Sequence, residues 1–162
     1  MLTKKARLLL SLTAATPLVF AACTDNNIVN PVNNAAGTYQ LTVFAGKGIP
    51  APFTFPPGDA DYPNGATFLV TDGTLVLNTN GTFVERNNFV ITPTDEQAQQ
   101  ESFVSSGTFS VNGNALTLFD QSGQRTVNAT LITAVGEDII NYTEANGDGT
   151  VDFYEYRRPS GQ

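Results

Sequence analysis

Few side chains in this sequence could carry out catalysis. The chain contains no histidine, and Cys23 is the single cysteine among 162 residues. A Ser-His-Asp triad, a Cys-His pair and a histidine metal centre are therefore excluded. A phosphate-cradling Gly-Lys-Ser/Thr loop is also absent. A carboxylate pair of the glycosidase kind remains open, since no pattern selects two of the 15 acidic residues. We therefore expect a protein that is not an enzyme and that uses no cofactor.

One group of oxygen-bearing side chains has the spacing of a calcium loop. The group consists of Glu144, Asn146, Asp148, Gly149, Asp152 and Glu155. The first position is Glu rather than Asp, and the flanking residues are typical of strands rather than helices. In a regular strand Asp152 and Glu155 would point to opposite faces. We therefore favour a hairpin turn with an acidic rim and predict no metal site, although calcium binding by this loop stays open.

The N-terminus has the pattern of an export signal. Lys4, Lys5 and Arg7 precede an uncharged and mostly apolar stretch over residues 8–20. That stretch has the length of a signal-peptide core and is too short to span a bilayer, which takes about 20 apolar residues. We expect residues 1–22 to be a signal peptide.

The junction Phe20-Ala21-Ala22-Cys23 resembles the lipobox of bacterial lipoproteins, although that family most often has Leu where Phe20 stands. The resemblance implies cleavage before Cys23 and attachment of a diacylglycerol to its thiol, so that the protein is anchored to a membrane. Thr24, where enterobacterial retention signals have Asp, favours the outer membrane of a Gram-negative cell. An ordinary secretory signal with an incidental cysteine is the alternative.

The composition of the remaining chain indicates one acidic domain. Without residues 1–22, which hold three of the eight basic residues, 140 residues with a formal charge of −10 remain. This length suits a single domain, and the charge argues against nucleic acid as a partner. With Cys23 acylated, no disulfide can form within the chain. Residues 24–36 are Asn-rich and lack periodicity, so we expect Cys23 and this segment to form a lipidated, flexible tether over residues 23–36.

From Gly37 onward the sequence is typical of strands separated by tight turns. Alternation of apolar and polar residues is clearest around Phe109 and Leu131, as in an antiparallel sheet with one wet face. We predict eight strands, near residues 38–45, 66–79 (kinked at Asp72-Gly73), 82–91, 101–110, 114–120, 125–134, 138–144 and 150–157. The predicted fold class is all-β, a small antiparallel up-and-down barrel of about eight strands, with a two-sheet sandwich as the alternative. The long link over residues 46–65 carries aromatic residues, which we expect to fold over one barrel end.

The start Gly37-Thr38-Tyr39 resembles the Gly-x-Trp motif of lipocalins, with Tyr39 in place of Trp. In that family a basic residue near the last strand packs over the ring, a role that Arg157 or Arg158 could fill. We take Tyr39 and Arg158 as the candidate barrel-closing pair. The resemblance covers residues 37–158, which leaves residues 159–162 as a tail. It implies binding of a small apolar ligand or a part in envelope maintenance. A non-catalytic structural or protein-interaction module with a filled barrel is the alternative.

Overall fold

The computed structural model describes residues 31–122, 125–146 and 149–159. The predicted signal peptide, Cys23, the tether up to residue 30, Asp148 and residues 160–162 lie outside the described residues. Our predictions for those residues stay predictions.

The described residues form a closed antiparallel β-barrel. Consecutive strands pair from β4 to β10, and β1 pairs with both β4 and β10, so the eight-stranded sheet closes on itself. Closure confirms the predicted barrel and excludes the two-sheet sandwich. The elements are α1 (Pro31–Ala35), β1 (Gly37–Phe44), β2 (Lys47–Gly48), β3 (Ala51–Phe55), β4 (Ala66–Leu77), β5 (Thr82–Pro93), β6 (Gln99–Asn112), β7 (Ala115–Asp120), β8 (Arg125–Ala134), β9 (Glu137–Ala145) and β10 (Val151–Pro159).

The link between β1 and β4, for which the sequence predicts no strand, contains two strands. Strand β2 pairs with β1, and β3 pairs with the first half of β4. The Pro-rich composition obscured them, because proline is a poor strand former that sheets tolerate mainly at their edges. The aromatic residues of the link do pack on the barrel, where Phe53 lies 5.5 Å from Phe44 between ring centroids.

Alternation along the strands produces the core. In β8 the buried residues are Val127, Ala129 and Leu131, while the intervening side chains are more exposed. The same rule in β5 buries Phe83, Glu85 and Asn87, so a charged and a polar side chain occupy inward positions. The interior of this barrel is therefore not purely apolar.

Strand β4 is kinked where the sequence has Asp72-Gly73, as predicted. Its pairing with β5 shifts register between Val70 and Asp72. A side chain at Gly73 would overlap Asn87 and would come within 2.9 Å of Leu41. Glycine is therefore needed here for close packing inside the barrel.

Helix α1 corrects the N-terminal boundary of the domain. The sequence predicts that residues 31–36 are part of a flexible tether, but Pro31–Ala35 is helical, Ala35 is fully buried and Val32 packs against the core. Burial of this apolar side offsets the cost of ordering the segment, which the Asn-rich composition concealed. Residues 31–35 therefore belong to the folded domain.

Candidate functional site

The predicted pair Tyr39 and Arg158 lies at one end of the barrel, which we call the closed end. The Arg158 guanidinium carbon lies 4.8 Å from the centroid of the Tyr39 ring. The Tyr39 hydroxyl donates a hydrogen bond of 2.8 Å to the carbonyl of Ala35. Arg158 forms an ion pair with buried Asp138 and donates to the carbonyls of Asn34 and Ala36. Together these contacts hold α1 against the barrel end.

The candidate pair and its ion-pair partner are buried in the closed end. Tyr39 is fully buried, and Arg158 and Asp138 are both nearly so. Burial raises the pKa of Tyr39 to about 12, although the nearby charge of Arg158 acts in the opposite direction. The phenol therefore stays neutral and continues to donate its hydrogen bond at physiological pH. Arg157, the other candidate for this role, lies on the outer surface and pairs with Glu137 and Glu155.

The opposite end, which we call the mouth, contains a cavity of about 300 Å³. Most of its wall is apolar, and the polar groups are confined to a few side chains. The lining residues are Phe44, Phe68, Val70, Asn87, Phe89, Phe103, Arg125, Glu144 and Tyr154. They come from seven of the eight strands of the barrel, so strand pairing alone brings them together.

Aromatic contacts hold the wall of the mouth cavity in place. Phe44 meets Tyr154 edge-on with ring centroids 5.0 Å apart, and Phe68 lies 4.8 Å from Phe89. Phe53 of β3 packs behind Phe44 and Phe68. Each such pair contributes roughly 0.5–1.5 kcal/mol beyond the area that it buries. The wall is therefore largely formed before any ligand binds.

Beneath the cavity lies a polar cluster centred on Glu85, which is only 1% exposed. Its Oε1 accepts hydrogen bonds from the hydroxyls of Tyr142 at 2.5 Å and Tyr156 at 2.6 Å. Asn87 donates to the same oxygen at 3.2 Å. The other oxygen, Oε2, has no hydrogen-bond partner among the described residues and lies 3.6 Å from Nη2 of Arg125. We call Glu85, Asn87, Arg125 and Glu144 the polar floor.

Arg125 connects the buried carboxylate to the cavity. Its Nη1 pairs with Glu144, and its guanidinium carbon lies 5.8 Å from the Phe103 ring centroid. Burial opposes the charge of the guanidinium, but the carboxylates of Glu144 and Glu85 more than offset this and raise the pKa of Arg125. The arginine is therefore a permanent cation held between two carboxylates.

The tyrosines that surround the polar floor are hydrogen-bond donors. Burial, and then the negative charge of Glu85, raise the pKa of Tyr142 and of Tyr156 well above the usual value for tyrosine. Burial and the adjacent Glu144 likewise raise the pKa of Tyr154. These hydroxyls therefore keep their protons, and two of them stabilise the buried carboxylate of Glu85.

Glu85 and Glu144 are two carboxylates that the folded barrel brings together, although nothing in the sequence selects them as a pair. A glycosidase places a sugar or a water between its two carboxyl groups. Here the Arg125 guanidinium lies between them. The arrangement thus suits charge compensation and polar contact with a bound molecule, and our expectation that the protein is not an enzyme stays a prediction.

The calcium-like spacing falls on the hairpin between β9 and β10. Asp152 is opposite Glu144 in the register and Glu155 is opposite Asn141, so the loop residues are spread along two strands. Glu144 pairs with Arg125, and Glu155 accepts hydrogen bonds from Thr42 and Arg157. Across the described ranges, no three His, Cys, Asp or Glu side chains are grouped so that they could hold a metal ion.

Sequence reasoning missed the polar floor. One signal was present, because alternation along β5 places Glu85 and Asn87 in line with Phe83 on the inward face. Arg125 and Glu144 lie near strand ends, where charged residues are ordinary, so nothing in the sequence marked them.

Within the part of the chain that the structure describes, no helix is both long and apolar enough to cross a membrane. Comparison with protein-family models, with curated proteins and with solved structures finds no match to this chain.

Proposed function

We propose that this protein is a lipocalin-like lipoprotein of the bacterial envelope that binds a small, largely apolar molecule in the mouth of its barrel. The observation that carries the proposal is the mouth cavity of about 300 Å³, walled by aromatic rings. Ligand sites are typically concave and mostly apolar, with a few placed polar groups and volumes of roughly 300–1,000 Å³. The cavity is at the lower limit of that range, so the ligand is small.

The distribution of the core supports a ligand at one end only. The half of the barrel next to the closed end is filled by buried side chains, among them Tyr39, Leu77 and Phe83. Below the cavity, the Glu85 cluster fills the middle of the barrel. A ligand would therefore enter through the mouth and stop at the polar floor.

Membrane anchoring and family membership rest on other observations. The lipobox-like junction at Cys23 supports lipidation and an outer-membrane location. The closed eight-stranded barrel, together with the packing of Arg158 over Tyr39, supports the lipocalin-like assignment. Mass spectrometry of the N-terminal peptide from protein purified from its host tests lipidation, and Cys23→Ser should abolish the modification.

The binding experiment uses the chain from residue 24, which retains every described element. Titration with the fluorescent apolar probe N-phenyl-1-naphthylamine should give a saturable one-to-one signal, because the probe moves from water into an aromatic cavity. Native mass spectrometry of protein from its host would show any co-purified small molecule. If the probe does not bind and the mass is clean, the alternative of a structural or interaction module takes the place of this proposal.

Two matched variants locate the site. Phe103 lines the cavity and Phe119 lies on β7 outside it, and both side chains are 44% exposed. Phe103→Ser should weaken probe binding by about tenfold, because one of the aromatic rings that line the cavity is lost. Phe119→Ser makes the same chemical change away from the cavity and should leave binding unchanged. Equal effects of the two substitutions would place the probe elsewhere.

A further inference from the structure

Negative charge exceeds positive charge at the polar floor. Of the residues that the structure describes, Arg125 is the only basic one that lines the mouth cavity. Two carboxylates approach its guanidinium, those of Glu85 and Glu144. A third carboxylate belongs to buried Asp120. In the pairing of β7 with β8, this residue is directly opposite Arg125. One cation among three carboxylates leaves the region net negative.

The accessible donors of the floor are already committed to these carboxylates, and Nε of Arg125, which has no hydrogen-bond partner among the described residues, is buried. Arg125 is paired with Glu144, and the amide nitrogen of Asn87 donates to Glu85. The hydroxyls of Tyr142 and Tyr156 also donate to Glu85. An anionic ligand would have to displace Glu144 from the guanidinium and would leave that carboxylate without its cation. Removal of one member of a partly buried ion pair is costly, so the floor disfavours anions.

The wall of the cavity favours positive charge as well. Aromatic rings carry a negative face that attracts cations within about 6 Å of the ring centroid. Phe44, Phe68, Phe89, Phe103 and Tyr154 supply five such rings around the cavity. Arg125 already lies 5.8 Å from the Phe103 ring, so a cation is accommodated beside this wall. Without residues 1–22 the chain carries a formal charge of −10, which would attract a cationic ligand to the mouth.

We infer that the mouth cavity selects a small organic cation with an apolar body, such as an arylalkylammonium, over neutral and anionic molecules of the same shape. This inference rests on the proposed binding function and specifies the class of ligand. The apolar body lies among the aromatic rings, and the cationic group lies against Glu144 at the floor. Selection comes from the net charge of the floor together with the negative faces of the wall.

The test uses three probes that share a benzyl group and differ in the charge of a tetrahedral head group. They are benzyltrimethylammonium, neopentylbenzene and phenylmethanesulfonate, with charges of +1, 0 and −1. Each displaces N-phenyl-1-naphthylamine from the chain beginning at residue 24, at low ionic strength. We expect the cation to bind about tenfold more tightly than its neutral isostere, from charge and cation–π attraction combined, and the sulfonate to bind most weakly.

A matched pair of variants assigns the selectivity to the floor. Glu144→Gln keeps an oxygen that can accept from Arg125 but removes one negative charge, so the preference for the cation should fall roughly fivefold or more. Glu137→Gln removes a carboxylate that is also paired with an arginine, Arg157, but lies on the outer surface. It should leave the preference unchanged. Urea unfolding of both variants establishes that each remains folded.

The outcomes separate this inference from the proposed function. Equal or tighter binding of neopentylbenzene would overturn the cation selectivity and leave an apolar binding barrel. Tightest binding of the sulfonate would overturn it as well and would show that Arg125 acts as an anion receptor. Absence of a probe signal to displace would refute the binding function itself. An unchanged preference in Glu144→Gln would show that the floor is not what selects the cation.

Discussion

Replacement of Arg125 by methionine should destabilise the barrel, because it removes the cation that faces a carboxylate with almost no solvent exposure. Glu85 is 1% exposed, and no described residue forms a hydrogen bond with its Oε2. Loss of one partner of a fully buried ion pair costs about 3–5 kcal/mol. The Arg125 side chain is 29% exposed and lies 3.6 Å from that oxygen, so water can partly replace it. We therefore expect a loss of about 2–3 kcal/mol in the free energy of unfolding at pH 7.

Urea unfolding followed by circular dichroism measures this loss. With an m-value of about 1–3 kcal/mol per molar, the midpoint should fall by roughly 1–2 M. The double variant Arg125→Met/Glu85→Gln should recover most of the stability, since the glutamine oxygen can accept from the tyrosines without needing a cation. Arg157→Met removes an arginine that is ion-paired on the outer surface and should hardly move the midpoint. A double variant no more stable than Arg125→Met would refute charge compensation and would indicate that the arginine stabilises the barrel by packing alone.

Three further predictions concern the scaffold. A methyl group at Gly107 would overlap the backbone carbonyl of Phe119, so Gly107→Ala should lower the unfolding free energy by at least about 2 kcal/mol, and an unchanged urea midpoint would contradict the packing described. Tyr39 ionises near pH 10 when unfolded and near 12 when folded; the folded state keeps the proton in between, so its contribution to stability is complete below pH 10 and is lost as pH rises towards 12. The difference in phenolate absorbance at 295 nm between the parent protein and Tyr39→Phe follows the ionisation of Tyr39 and should have its midpoint near pH 12. A midpoint near pH 10 would show that the ring is solvated. Arg158→Met leaves buried Asp138 without its cation and removes the hydrogen bonds that hold α1 to the barrel, so amide hydrogen exchange in α1 should become faster. Unchanged exchange rates would mean that packing alone holds the helix.

The barrel could be predicted from the sequence because its signals are local. Val127, Ala129 and Leu131 alternate with polar residues, and Asn-Gly pairs mark turns such as that at Gly113. Each predicted strand corresponds to an observed one, with bounds that differ by at most two residues and that coincide at both ends for residues 125–134. The two strands between β1 and β4 escaped because their pairing partners are strands β1 and β4, and the Pro-rich segment gives no local sign of that pairing.

The polar floor could not be predicted because it depends on long-range register. Glu85, Arg125 and Glu144 lie on three different strands and converge only when the barrel closes. The tyrosines near them are equally compatible with an apolar plug in the sequence alone. Closure also decides that one half of the interior is filled while the other retains a cavity, which depends on the summed side-chain volumes at each level of the barrel.

If Cys23 carries a lipid, as proposed, the position of helix α1 limits how the barrel could be oriented on a membrane. The helix lies at the end of the barrel opposite the mouth, held there by Tyr39 and Arg158. If Cys23 carries the lipid, residues 24–30 can span at most about 25 Å, so the closed end is the part kept nearest the bilayer. The opening would then face the aqueous phase rather than the lipid. Cargo would be exchanged with the surrounding solution or with a soluble carrier, and it would not pass laterally out of the bilayer. Such a route suits molecules with appreciable solubility in water.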